Sequence, residues 1–206
     1  MRARLVLASG SRTRRDLLRS MLGDSFIAVE PLKELTTPCK GDFDGACRNA
    51  VLSALIKALS VIEENTVQGD YIVGADTVVY FKGRVLGKPR DESEARAFLT
   101  MLRGSWHAVI TGIAIISLRE RAIIVDYATT HVKMRNYSDE EINAYLSTGE
   151  WVGKAGGYAI QGKGALLVEA IVGCFFNVVG LPLSRLYELT TSAGLSFDVW
   201  WLALST

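Results

Sequence analysis

The stretch Tyr71-Ile-Val-Gly-Ala-Asp-Thr-Val-Val-Tyr-Phe81 decides the fold class. It is almost continuously apolar and rich in β-branched residues, the pattern of a strand buried on both faces. Such a strand needs layers on either side, so helices are expected to cover its sheet. One residue breaks the pattern. Asp76 is a lone carboxylate among apolar neighbours, and a charge so placed is rare unless it is paired or bound to a metal. Gly74 and Ala75 before it read as room for a ligand to approach. The competing reading is an aspartate capping neighbouring backbone at a strand end. Burial and a nearby phosphate would both perturb its pKa, which favours the functional reading.

Upstream, Leu5-Val-Leu-Ala8 reads as a short buried strand running into the small-residue loop Ser9-Gly10-Ser11. Leu17, Leu18, Met21 and Leu22 recur at helical spacing, with Ser11 as N-cap and Gly23 closing the helix. A second helix covers roughly Ala46 to Glu64, apolar on most sides with a polar stripe of Asn49, Ser53, Lys57, Ser60 and Glu64. Downstream, Lys82-Gly83 turns into Val85-Leu86, and Asp91 to Leu102 reads as a helix ended near Gly104. Trp106 to Ser117 and Ala122 to Val132 read as strands joined by a charged turn, Leu118 to Arg121. Ser138-Asp-Glu-Glu141 is a capping box opening a helix that ends before Gly149. The glycine-rich stretch Gly149 to Gly164 leads to an expected strand at Ala165 to Ile171, and Pro182 starts an expected last helix through Thr190. Interspersed strands and helices give an α/β class with a mixed sheet. No internal repeat or long linker divides the 206 residues, so one domain is expected, with the option of two lobes around a cleft.

Three segments carry candidate chemistry. Arg12, Arg14 and Arg15 crowd the start of the first helix, where the positive end of the helix dipole disfavours each cation by about 0.3–1 kcal/mol. Position 14 would take Glu or Gln in a capping box and holds arginine instead. An arriving anion relieves this frustration, and Ser9, Ser11 and the arginines suit a phosphate; the other reading is a solvated basic helix end. The pattern is not a Walker A loop. Lys88 in Gly87-Lys-Pro89 is aimed by a stiff loop and could bind phosphate as a point charge. Lys57, taken alone, reads as solvent-exposed. In Lys154-Ala-Gly-Gly-Tyr-Ala-Ile-Gln-Gly162, Tyr158 and Gln161 could read a base by stacking and hydrogen bonding. The other reading of that segment is a hairpin needing glycines for its turns. His107 and His131 each stand alone and read as core or edge histidines, with no nucleophile–base grouping around them.

Composition excludes several classes. Hydrophobic residues are 49% and charged residues 22%, an ordinary globular balance. A net charge of +1 excludes a broad basic surface, so direct nucleic-acid binding is not expected. The three cysteines, Cys39, Cys47 and Cys174, form no metal or disulfide spacing, which points to a reducing cytoplasm. Leu5 to Ala8 is shorter than the roughly 7–15 residues of a signal-peptide core. Val199 to Leu204 falls short of the ~20 residues that span a bilayer, so no membrane insertion is expected.

Together these segments resemble the Maf family of nucleotide pyrophosphatases. Leu7-Ala-Ser-Gly-Ser11 with its arginines and Leu17-Leu18 is similar to the family's opening loop and helix, and Lys57 falls at its helical lysine. Gly74-Ala-Asp-Thr-Val-Val79, Leu86-Gly-Lys-Pro89, Thr111-Gly112, Lys154-Ala-Gly156, Ile160-Gln-Gly162 and Asn177-Val-Val-Gly-Leu-Pro182 match in order and spacing. The resemblance implies a twisted sheet with helices around a cleft, a divalent metal (Mg²⁺ or Mn²⁺), and release of pyrophosphate from a nucleoside triphosphate. It further implies Asp76 as proton acceptor. Thr77 and Gln161 resemble the branch acting on dTTP and UTP rather than the 7-methyl-GTP branch. The chain departs from the family in its opening, where Arg12-Thr13 follows Ser11 in place of Pro-Arg, so that Thr13 stands where the pyrimidine branch carries arginine. Gly153 replaces the usual aspartate, and the tail from Phe197 onward has no counterpart.

On this reading Arg14, Lys57 and Lys88 hold and neutralise phosphate oxygens while water attacks the α-phosphorus. The metal bridges phosphate and carboxylate oxygens, with Asp76 as base, ligand or both and Glu34 as a second carboxylate. Ser9, Ser11, Thr13, Thr77, Lys154 and Gln161 complete the expected substrate contacts. Two alternatives stand beside it: a non-catalytic regulator of septum formation in cell division, and a pyrophosphatase of purine or noncanonical triphosphates, which Thr13 keeps open. The tail with Trp200 and Trp201 either finishes the core or makes a dimer contact, and a homodimer is expected.

Overall fold

The Tyr71–Phe81 strand lies inside a seven-stranded mixed sheet, with strands on both of its edges. The computed structural model describes residues 4–33, 41–63 and 69–201. In chain order the elements are β1 (Leu5–Ala8), α1 (Arg12–Leu22), β2 (Phe26–Val29), α2 (Phe43–Glu63), β3 (Tyr71–Phe81), β4 (Arg84–Leu86), α3 (Glu92–Leu102), β5 (Trp106–Ser117), β6 (Ala122–Met134), α4 (Asp139–Leu146), β7 (Val168–Val172), α5 (Phe175–Val179), α6 (Leu183–Ser192) and α7 (Asp198–Trp201). The strands run β2-β1-β3-β5-β6-β7, with β4 paired to β3 off this path. β1 is parallel to both β2 and β3, and every pair from β3 onward is antiparallel.

Alternation along the strands sorts the core into layers. Leu5, Leu7, Tyr71, Val73 and Ala75 face α1, α6 and α7, meeting Leu17, Leu18, Leu22, Leu186, Leu189 and Trp200. Val6, Ala8 and Ile72 face the other way, onto Ala54, Ala58 and Val61 of α2. A third cluster joins Val79, Phe81, Val109, Val132 and Met134 to α3, α4 and Tyr158. The α/β class with helices on both faces of a mixed sheet is what the buried strand required. Lys82 and Gly83 have φ of 46° and 80°, the pair of positive values a tight hairpin turn needs.

Helix α2 inverts one expectation. Its polar stripe turns inward: Ser53, Lys57 and Ser60 are buried, while Leu52 and Leu59 are exposed. It lies so close to the sheet that a Cβ on Gly74 would stand 2.0 Å from the Ala54 carbonyl oxygen, and one on Gly112 2.2 Å from the Ala50 carbonyl carbon. Gly74 therefore makes room for a helix, not for a ligand. Among the described residues α2 is the helix long and apolar enough to cross a membrane, and half of its apolar window is buried in the fold.

Other boundaries shift for local reasons. The strand expected from Ala165 begins at Val168, because Gly162–Leu167 coils into a 3₁₀ turn. The helix expected from Pro182 to Thr190 runs Leu183–Ser192 and is not the last, since α7 follows. Strand β2 and helix α5 have no counterpart in the sequence reading. Trp200 finishes the core, its indole N–H donating to Thr190 Oγ1 at 3.0 Å, whereas Trp201 is exposed.

Candidate active site

The register of β3 creates the opening. β1 pairs with β3 only as far as Ala8↔Gly74, and β4 takes up the same edge only from Val79↔Leu86. Between them Asp76 and Thr77 lie just past the C-terminal end of β1, the place where open α/β sheets bind ligands. Consecutive strand residues point to opposite faces, so Asp76 turns toward α2 and Thr77 toward α1. A cleft of about 520 Å³ lies over this gap, ample for a small-molecule ligand. Its lining carries Arg12, Arg14, Lys57, Lys88 and Lys154 against the carboxylates Asp76 and Glu30. Among the described residues, the excess of cations marks it for an anion.

One wall is made of regular elements. Lys57 on α2 is 3% exposed and places Nζ 2.7 Å from Asp76 Oδ1, whose side chain is 20% exposed. The solvent-exposed reading of Lys57 is thereby overturned: period locates a helix stripe, but not which stripe faces the protein. The strand-end reading of Asp76 is set aside too, since the residue is mid-strand opposite Gly112. Arg14 is buried, with Nε donating to the Gly180 carbonyl at 2.7 Å and Nη2 to Thr77 Oγ1 at 2.8 Å. Arg12 is exposed and approaches Asp16 at 3.7 Å, so the solvated reading holds for Arg12 and fails for Arg14. Ser11 caps α1 by accepting from Arg14 N, and Ser9 Oγ accepts from Ser11 N at 3.2 Å. The first turn of α1 contains no acidic residue, which leaves its dipole unanswered by the helix itself.

The facing wall is made of loops. Lys88 is exposed beside buried Pro89, and the Gly87 carbonyl accepts from Gly156 N at 3.0 Å, tying this loop to the glycine-rich one. Gly156 and Gly157 adopt φ of 73° and 74° in a short 3₁₀ turn, so the hairpin reading of this segment is overturned. Lys154 Nζ crosses the cleft mouth to donate to Thr13 Oγ1 at 2.8 Å. Burial, with help from Arg14 and Lys88, lowers the Lys154 pKa below the ordinary 10.5, while Glu150 opposes the shift. Tyr158 is buried, and its hydroxyl is 2.7 Å from His107 Nε2. Burial drops His107 to about 4, so the pair is neutral near pH 7. Tyr158 thus belongs to the wall behind the cleft, while Gln161 is exposed at its rim. His131 is an exposed strand residue.

The structure therefore brings Ser9, Ser11, Thr13, Arg14, Lys57, Asp76, Thr77, Lys88, Lys154 and Gln161 to one cleft. Glu34 lies outside the described residues. Glu30 and Thr111 carried no role in the sequence reading. Thr111 could have been found by the signal that marked Asp76, a polar side chain inside an apolar strand.

Comparison with known proteins follows the same outline. The family described as Maf-like protein matches residues 4–193. A dTTP/UTP pyrophosphatase of Dictyoglomus thermophilum is 43% identical over 200 residues, covering 95% of this chain and 99% of that protein. One of Acetivibrio thermocellus is 42% identical over 200 residues, covering 94% and 96%. Another, of Clostridium novyi, is 38% identical over 193 residues, covering 94% and 99%.

Proposed function

Because the chain belongs to the Maf family, we propose that it is a nucleoside triphosphate pyrophosphatase, hydrolysing dTTP and UTP to the monophosphate and pyrophosphate. The observation that carries this reading is the Lys57–Asp76 pair at the unpaired stretch of β3, inside a cleft whose other charges are, among the described residues, mostly cationic. A carboxylate held by one oxygen keeps the other for a proton or an ion.

Arg14, Lys57, Lys88 and Lys154 surround the place where a triphosphate chain would lie and would neutralise its oxygens, where charge grows in the transition state. Asp76 accepts the proton from the attacking water. Lys57 fixes the orientation of the Asp76 carboxylate. Ser11, Arg12 and Thr13 at the N-terminal end of α1 line the cleft, where first-turn N–H groups suit a phosphate. Thymine or uracil would lie toward the rim, where Gln161 can meet base edges.

A divalent cation fits the donor chemistry. The cleft offers the hard carboxylate oxygens of Asp76 and Glu30, and Mg²⁺ is commonly held by one or two carboxylates plus substrate phosphates. Asp76 and Glu30 are the described carboxylates that would hold it; Glu34, the second carboxylate expected from the sequence, lies outside the described residues. When bound, the cation would supply Lewis-acid neutralisation of phosphate oxygens. A reducing cytoplasm suits Cys47 and Cys174, which are free thiols. The regulatory and purine-triphosphate readings are not favoured by the relatives' names.

The test is incubation of the purified protein with a panel of common and modified triphosphates, with Mg²⁺ and with EDTA, followed by product separation. Monophosphate plus pyrophosphate, fastest from dTTP and UTP and lost with EDTA, is the expected result. Orthophosphate release, or no turnover of any triphosphate, would contradict it.

A further inference from the structure

Two segments that this mechanism leaves idle, Thr111-Gly112 and Asn177 to Pro182, meet behind Arg14. Thr111 is fully buried in β5, directly opposite Thr77, and Asn177 is fully buried in α5. Arg14 Nη2 donates to Thr77 Oγ1 at 2.8 Å, the two threonine hydroxyls are 2.9 Å apart, and Thr111 Oγ1 is 3.3 Å from the Asn177 carbonyl oxygen. With the shorter Thr111–Asn177 contact made in place of the longer one from Thr77 to the Gly180 carbonyl, the ends of this chain set its proton directions. A guanidinium only donates and a carbonyl only accepts. Thr111 therefore donates to Asn177, and Thr77 donates to Thr111 while accepting from Arg14. The longer approach of Thr77 to the Gly180 carbonyl, 3.5 Å, is not needed.

The same turn grips the arginine a second time. Arg14 Nε donates to the Gly180 carbonyl at 2.7 Å, and Gly180 has φ of 118°, a conformation that disfavours any side chain. Asn177 anchors the turn, its amide Nδ2 donating to the Val109 carbonyl at 3.0 Å and to Thr130 Oγ1 at 2.9 Å. These two hydrogen bonds of the guanidinium thus run back to β5 and α5.

We propose that Thr111 and Asn177 are positioning residues for Arg14, acting through the Thr77 hydroxyl and the Gly180 carbonyl; the proposal rests on the triphosphate reading of the cleft. An arginine on a helix end ordinarily loses rotamer freedom when it binds a phosphate. Here that freedom is lost on folding, and a bound phosphate meets a guanidinium already aimed. Each bond in the chain also polarises the next, so the positive charge strengthens the relay that holds it.

Thr111→Val keeps the shape of the side chain and removes the hydroxyl. It should lower kcat/KM for dTTP about tenfold, and Thr111→Ser should restore most of the loss. In an Arg14→Ala background the same valine should cost nothing further. Thr190→Val removes a buried hydroxyl bonded to the Leu186 carbonyl and Trp200, outside the cleft, and should lower Tm without changing kcat/KM. Wild-type rates in Thr111→Val, an equal loss with and without Arg14, or a loss of activity in Thr190→Val as large as in Thr111→Val would each overturn the relay. Absence of turnover by the wild type would instead remove the proposed reaction, and the same cycle read on inorganic tripolyphosphate binding would still decide the relay.

Discussion

The two walls of the cleft are built by different means. Arg14, Lys57, Asp76 and Thr77 stand on two helices and a central strand, and each is fixed by a partner within 2.8 Å. Lys88, Lys154 and Gln161 stand on loops, exposed or half-exposed, and Lys154 crosses to the opposite wall for its partner. A proton acceptor and a phosphate clamp need positions good to a fraction of an ångström, which packed elements supply. Discrimination between bases needs contacts that can be altered without disturbing the fold, which loops supply. On the proposed function, the difference puts the proton acceptor on the sheet wall and the base contacts on the loop wall, with phosphate contacts drawn from both.

The sharpest way to break this assignment is at Asp76. Asp76→Asn should reduce turnover about 10³-fold, within the range of general-base losses, with circular dichroism and dTTP affinity close to wild type. Retained turnover would remove the chemistry from the sheet wall. A smaller effect is expected across the cleft. Lys88→Ala should lower kcat/KM about tenfold and leave Tm unchanged, because on the proposed function the exposed ammonium would meet phosphate while making no hydrogen bond or ion pair among the described residues that holds the fold.

Smaller still is the effect at Lys154, and it should depend on pH. Burial, then Arg14 and Lys88, hold its pKa below 10.5 in the free protein. A bound triphosphate adds negative charge and raises it again, so binding takes up a proton in the window between the two values. Affinity for triphosphate should therefore fall as pH rises through the lowered pKa. Calorimetry in buffers of different ionisation enthalpy should detect this uptake in the wild type and lose it in Lys154→Met, with affinity near neutral pH down about fivefold.

Much of the frame was legible because local signals agreed with one another. The apolar β-branched run of β3, the Ser11 cap of α1 and the Ser138–Glu141 capping box are all found as read. Strand β2 was missed because Phe26-Ile-Ala-Val29 is only four residues long and has two exposed positions. Helix α5 was missed because it has one turn and contains two β-branched valines. The site was legible as a set of residue types and not as contacts. Nothing local distinguishes Lys57 facing water from Lys57 facing Asp76, since the stripe is equally polar either way. Gly74 shows the same limit: a glycine marks close approach, and only the packed sheet reveals that the approaching atom is the Ala54 carbonyl.

The central claim is tested most directly by a substrate profile. Values of kcat/KM for dTTP, UTP, dCTP and GTP would be measured in wild type, Lys57→Gln and Gln161→Ala. Lys57→Gln should lower all four by a common factor, leaving their order intact, because its partner Asp76 serves every triphosphate alike. Gln161→Ala should change the order with dTTP and UTP losing most. A reordered profile in Lys57→Gln together with a uniform loss in Gln161→Ala would contradict the division of labour between the two walls.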